Sequence, residues 1–135
     1  MTTTLSLLRI ICRSAIALAL GFCAGCGPKH PAQFTVSGQP IEHWLAEIKH
    51  ANPRQRAIAV DRLGNVGPAH PSAIPALIEA LSDAEPEVRQ KACLALLKSG
   101  RDAKDAIPAL TKAGSDTDPQ VQDFARKALA RIEGK

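Results

Sequence analysis

A proline returns every 33 residues in this 135-residue chain, at Pro53, Pro86 and Pro119. The same apolar positions recur around each one. Twelve residues before the prolines stand Ile41, Ile74 and Ile107; nine before, Trp44, Leu77 and Leu110. Eight before come Leu45, Ile78 and Thr111; five before, Ile48, Leu81 and Gly114. Steps of three, one and three trace one stripe of an α-helix. Six residues after the prolines stand Ala59, Ala92 and Ala125; ten after, Leu63, Leu96 and Leu129; thirteen after, Val66, Ser99 and Ile132. Those steps are helical as well. A period of this length means stacked units, because one helix pair cannot bury its apolar faces alone. Such a stack presents a surface and seldom encloses a reaction chamber.

Each unit reads as helix A, a tight turn, then helix B. The proline opens helix B, where the first N–H groups have no intrahelical partner and its fixed φ suits the turn. Asn52, Glu85 and Asp118 precede it. Asn and Asp are favoured N-caps, and an acid there suits the helix dipole. Gly67 and Gly100 follow the first two B helices, as a left-handed C-cap would require. Pro75 and Pro108 belong in the first turns of the second and third A helices, which are expected to start near Ala73 and Ala106. The expectation is an all-α chain of three helical hairpins in an α-α superhelix, with units at about 40–67, 72–100 and 105–134 inside a domain spanning 40–135.

The run Asp83-Ala-Glu-Pro-Glu-Val-Arg-Gln-Lys-Ala-Cys-Leu-Ala-Leu-Leu resembles a HEAT repeat, of the short kind also found in phycobilin-lyase-like proteins. The stretches beginning at Asn52 and Asp116 resemble it too, and the likeness covers roughly Pro40 to Ile132. It implies a ladder between units, in which the arginine three after the proline meets an acid in the next turn. Arg56 and Arg89 match that arginine, and Asp83 and Asp116 match the acid. Gln122 replaces the third arginine and His50 the first acid, so the ladder is expected to be incomplete. The fold alone does not name a function.

Residues 1–26 differ from the rest. They contain no acid, and Arg9 and Arg13 precede an apolar run from Ala15 to Phe22 that leads into Cys23-Ala-Gly-Cys26. This is the layout of a secretory signal. The run is short of the roughly 20 residues that span a bilayer. Its end resembles a bacterial lipobox, with Ala24 and Gly25 before Cys26 as the lipidated residue and Cys23 where leucine is usual. Cleavage after Ala17-Leu-Ala19, giving a secreted protein, is the second reading. Residues 27–39 read as a tether, with Phe34 to Val36 able to extend over the first hairpin. The expected location is the bacterial envelope, lipid-anchored. Without Arg9 and Arg13 the net charge of +4 falls to +2, so the basic balance does not argue for nucleic acid. Three Phe, one Trp and no Tyr also disfavour a base-stacking surface.

The residues assign no catalytic site, cofactor or small-molecule substrate. Ser72, Ser82, Ser99 and Ser115 fall at turns or helix ends, where serine caps or terminates. His43, Glu47 and His50 share a helix face, but the expected reading is a solvated surface with no metal. Cys93 is expected to be a buried free thiol. Charge is more informative. The B helices carry nine basic and four acidic residues, and the A helices two basic and six acidic. Arg56, Arg62, Arg89, Lys91, Arg126 and Lys127 are the candidate partner-binding basic face, suited to an acidic protein segment. The competing reading gives Arg56 and Arg89 to the ladder and Lys98 and Arg131 to helix C-termini. The expected function is a non-catalytic protein-binding module. The alternatives are a self-assembling structural stack and an auxiliary to a chromophore-lyase-like system.

Overall fold

The computed structural model describes residues 34–134. The signal, the lipobox and most of the tether lie outside them. Two short strands, β1 (Thr35–Val36) and β2 (Gln39–Pro40), precede six helices: α1 (Ile41–Glu47), α2 (Pro53–Val66), α3 (Ala73–Ala80), α4 (Pro86–Ser99), α5 (Ile107–Ala113) and α6 (Pro119–Glu133). Helices α1/α2, α3/α4 and α5/α6 are the three hairpins, and every B helix starts at its periodic proline. The fold is all-α, as the period requires.

The stretch 34–39 is more than a tether. β1 and β2 pair antiparallel, Thr35 with Pro40 and Val36 with Gln39. Ser37 and Gly38 turn the chain at φ 52° and 79°, the positive values a two-residue hairpin turn needs. The Ile41 N–H donates to the Phe34 carbonyl at 3.0 Å, and the Trp44 indole N–H to the Val36 carbonyl at 2.9 Å. The folded unit therefore begins before Pro40, and the hairpin closes one end of the stack.

One polar device shapes all three AB turns. The residue three before each proline accepts the N–H of the residue just before it: His50 Nδ1 from Asn52 at 3.0 Å, Asp83 from Glu85 at 2.9 Å, and Asp116 from Asp118 at 2.9 Å. Asn52 and Asp118 then cap α2 and α6, while the Glu85 side chain makes no cap. The expected left-handed caps are only half right. Gly67 and Gly100 have positive φ (51° and 56°), but their ψ values of −129° and −132° lie in a region open to glycine. There the chain enters 3-10 turns at Gly67–Ala69 and Gly100–Ala106; the second runs directly into α5, and His70, Pro71 and Ser72 separate the first from α3. A left-handed cap is found at Gly134, after α6.

Leu63, Leu77, Leu96 and Leu110 are fully buried and form the centre of the core. They come from the position ten after the proline and the position nine before it. Leu129 is the third member of the first set but is half-buried, because no described hairpin covers it. Neighbouring B helices touch directly, α2 on α4 and α4 on α6, while the A helices pack mainly on B helices. Small residues set that closeness: a Cβ on Gly64 would lie 2.6 Å from Ala95 Cβ. Direct contact between B helices, with the A helices touching mainly B helices, makes the B layer the inner one.

Candidate protein-docking face

The strongest polar contacts are spent inside the stack. Arg56 donates from Nε and Nη2 to the two Asp83 oxygens at 2.7 and 2.8 Å, and from Nη1 to the carbonyls of His50 and Ala51. Arg89 repeats this with Asp116 at 2.8 and 2.7 Å and with the carbonyls of Asp83 and Ala84. Each arginine thus ties its own turn and reaches the next. Gln122 keeps only the first half, donating to the Asp116 carbonyl at 2.6 Å. Burial pushes the Asp83 carboxyl up, but the Arg56 hydrogen bond, the Glu85 N–H and the positive charge of Arg56 and Arg89 outweigh it and hold it below its usual value. The Arg89 hydrogen bond lowers Asp116 against a smaller effect of burial.

Arg56 and Arg89 therefore belong to the ladder and not to an open face. The other four candidates divide. Arg62 sits at the first hairpin, its guanidinium 6.0 Å from the centroid of the half-buried Trp44 ring. Arg126 stands where the earlier units have Val60 and Cys93, both fully buried, and is itself exposed at the other end of the stack. Only Lys91 and Lys127 lie on the inner surface of the B layer.

That surface is one stripe, built from positions one, five, eight and twelve after each proline, a helical spacing. It contains Arg54, Ile58, Asp61 and Asn65 from α2, then Glu87, Lys91, Leu94 and Lys98 from α4. From α6 it takes Gln120, Phe124, Lys127 and Arg131. None of the twelve is buried, and Ile58 is 43% exposed. The apolar members stand among cations. Lys127 Nζ lies 5.8 Å from the Phe124 ring centroid and 2.6 Å from Asp123. A groove of about 290 Å³ opens between α2 and α4, with Asp61, Leu94, Leu97, Lys91 and Lys98 on its walls and Gly64 and Ala95 at the crossing.

The remaining candidates resolve into structure. His43 stacks edge-on against Trp44, with centroids 4.8 Å apart, and His50 accepts its turn hydrogen bond. Among the described residues no group of three His, Cys, Asp or Glu is arranged for a metal. Ser99 is buried and donates to the Ala95 carbonyl at 3.1 Å. Cys93 is a buried free thiol, pushed up to about 12 by burial.

Residues 41–130 match the family of HEAT repeats. The chain belongs to the HEAT-repeat family. Among solved structures this HEAT stack is similar to the crystal structure of an engineered protein, at 23% identity and a TM-score of 0.55 over 70% of this chain. It spans 45% of that protein's length, and the likeness concerns the fold alone. A comparison with curated proteins gives no match. HEAT repeats generally mediate protein–protein contact, and they do so with the surface that stacking leaves open. Sequence reasoning summed charge over whole B helices, and so it overlooked the apolar members Ile58, Leu94 and Phe124. The signal was present: those three fall on the stripe that also carries Lys91 and Lys127.

Proposed function

We propose that this HEAT stack is a non-catalytic docking module whose inner B-layer stripe holds an acidic, partly apolar segment of another protein. One observation carries the reading. The stripe leaves Ile58, Leu94 and Phe124 open between Arg54, Lys91, Lys98, Lys127 and Arg131, while the scaffold beneath is sealed by the Arg56–Asp83 and Arg89–Asp116 bridges. Cations around apolar anchors steer an acidic partner and then give it area to bury. The N-terminal pattern supports export and lipid attachment at Cys26, which would hold the stack at the bacterial envelope, with a secreted form as the second route.

The alternative of a self-assembling stack is disfavoured by the residues at the two ends. Arg126 and Gln122 replace the buried residue and the ladder arginine that a following unit would need. The hairpin and Trp44 occupy the other end.

Affinity capture from bacterial membranes tests the proposal. Lys91→Glu with Lys127→Glu should abolish recovery of the partner, whereas Lys49→Glu with Lys112→Glu on the A layer should not. Equal recovery from both pairs would refute the inner face. Mass spectrometry of the mature N-terminus on the same sample should show a lipid-bearing Cys26; a mature chain starting elsewhere would refute the anchor.

A further inference from the structure

The seam between the second and third hairpins holds three cations with no ion-pair partner among the described residues. Lys98 is in the last turn of α4, Arg101 follows it, and Arg131 is in the last turn of α6. They line a groove of about 460 Å³ together with Gly100 and Gly134. No carboxylate is among its described lining residues. The arginines are placed reciprocally. Arg131, from α6, leans on Gly100 at the end of α4, its Nε 3.7 Å from where a Cβ would stand. Arg101, just past α4, leans on Gly134 at the end of α6, its Nη2 2.9 Å from where a Cβ would stand. Any side chain at Gly134 would displace that guanidinium, so the glycine makes room for it. Arg56, Arg89 and Lys127 each meet a carboxylate, whereas Arg54, Arg62, Lys91 and Arg126 are without an ion pair among the described residues, like the seam cations, but stand apart from one another; what sets the seam apart is that three cations share one groove.

Lys98 is also a wall of the apolar groove at Leu94 and Leu97, so the two grooves adjoin. Its ammonium reaches only the Asn65 side-chain oxygen, at 3.5 Å. A ligand that fills both needs an apolar group in the first groove and negative charge on the seam side, away from Asp61 on the wall of the apolar groove. The apolar groove lies between two neighbouring B helices, where one apolar side chain of an extended peptide can enter.

We propose that this seam is a two-part docking site for an extended acidic segment of a partner protein. An apolar side chain of the segment enters between Leu94 and Leu97. Neighbouring carboxylates are received by Lys98, Arg101 and Arg131, where arginine can bind a carboxylate through two parallel hydrogen bonds. The inference rests on the docking function proposed above and fixes the anchor point within it.

Fluorescence anisotropy with the full chain in mild detergent tests it. The probes are a labelled peptide of repeated Asp-Glu-Leu, the same peptide with Ser for Leu, and one with Asn and Gln for the acids. Inorganic phosphate and phosphatidylglycerol vesicles serve as competitors. The Asp-Glu-Leu peptide should bind best, and its affinity should fall with added salt. Arg101→Glu with Arg131→Glu should weaken it about tenfold or more. Arg101→Gln with Arg131→Gln should weaken it less, and Lys112→Glu not at all. Unchanged melting temperatures would show that the seam variants stay folded. Peptide binding that ignores the seam variants overturns this site and leaves the docking function standing on another part of the stripe. Absence of peptide binding overturns the site too, and capture of a partner from membranes then decides the wider function separately. Equal binding of the Ser peptide, or displacement by phosphate or vesicles alone, would make the seam a general anion site and overturn the protein segment as its occupant.

Discussion

Gly64 is the most tightly opposed of the described glycines. An added Cβ would come within 2.6 Å of Ala95 Cβ and 3.3 Å of its Cα, and neither atom can rotate away. Gly64→Ala should therefore separate α2 from α4. The overpacking cost of about 1–3 kcal/mol exceeds the gain of about 1 kcal/mol in helix propensity, so the melting temperature should fall. Ala95→Gly in the same chain should restore the spacing and recover most of the loss. If Gly64→Ala alone were stabilising, the close crossing of the B helices would be disproved. Nothing in the 33-residue period singles Gly64 out, since the third unit has Ala130 and the second Leu97 at that position. Its role comes from what lies opposite it, and a sequence does not show which residues face each other across two helices. Cys93 is the contrary case. Its place seven after the proline on a B helix, where the first unit has Val60, was enough to read it as core. With its thiol held at about 12, it should react with iodoacetamide at neutral pH no faster than the protein unfolds. Rapid labelling of the native chain would contradict that burial.

Between elements, the ladder gives the stack its register. Arg89 spans a turn and the next hairpin with four hydrogen bonds, so its removal takes the donor from two carbonyls and leaves the Asp116 carboxylate with the Asp118 N–H but no cation. Arg89→Ala should cost about 2 kcal/mol. Arg89→Lys should rescue little, because an ammonium lacks the planar fork that meets both oxygens. The pH dependence follows from the carboxylates. Asp83 and Asp116 titrate below their usual value in the folded chain. In that range the unfolded chain binds more protons, so their stabilisation is complete above a pH of about 4. It is lost as the pH falls further, through the folded values. The melting temperature should hold between neutral pH and about 5 and drop below about 4. Asp83→Asn with Asp116→Asn should lower it at neutral pH and flatten the acid limb; an unchanged limb would mean that other groups control acid unfolding. These pairs were legible from the family resemblance, because the ladder uses fixed offsets from the proline. The turn role of His50 was not. It depends on Nδ1 standing where a carboxylate oxygen stands in the other units, which is a matter of geometry and not of residue class.

For the whole stack, the period fixed the helices and their order, but its failures carry the rest. The pattern breaks at both ends of the described stack. His50 stands in place of an acid, and the hairpin of residues 34–40 lies against α1 through Trp44. At the other end Gln122 lacks a guanidinium, and Arg126 puts a charge where Val60 and Cys93 are fully buried. An apolar residue at that position would leave an uncovered strip beside the half-buried Leu129, and the desolvation cost of burying an unpaired arginine opposes its coverage by another copy. The protein should therefore sediment as a monomer in detergent at all concentrations from about micromolar upward. Gln122→Arg with Arg126→Val should remove both blocks, and His50→Asp in the same chain would offer the missing acid at the opposite end. With residues 1–39 also removed, so that the hairpin no longer covers the opposite end, that triple variant should form concentration-dependent head-to-tail oligomers, since a heterologous contact of this kind does not close on itself. Oligomers of the unaltered chain, or a strictly monomeric shortened triple variant, would show that something other than these positions limits the stack.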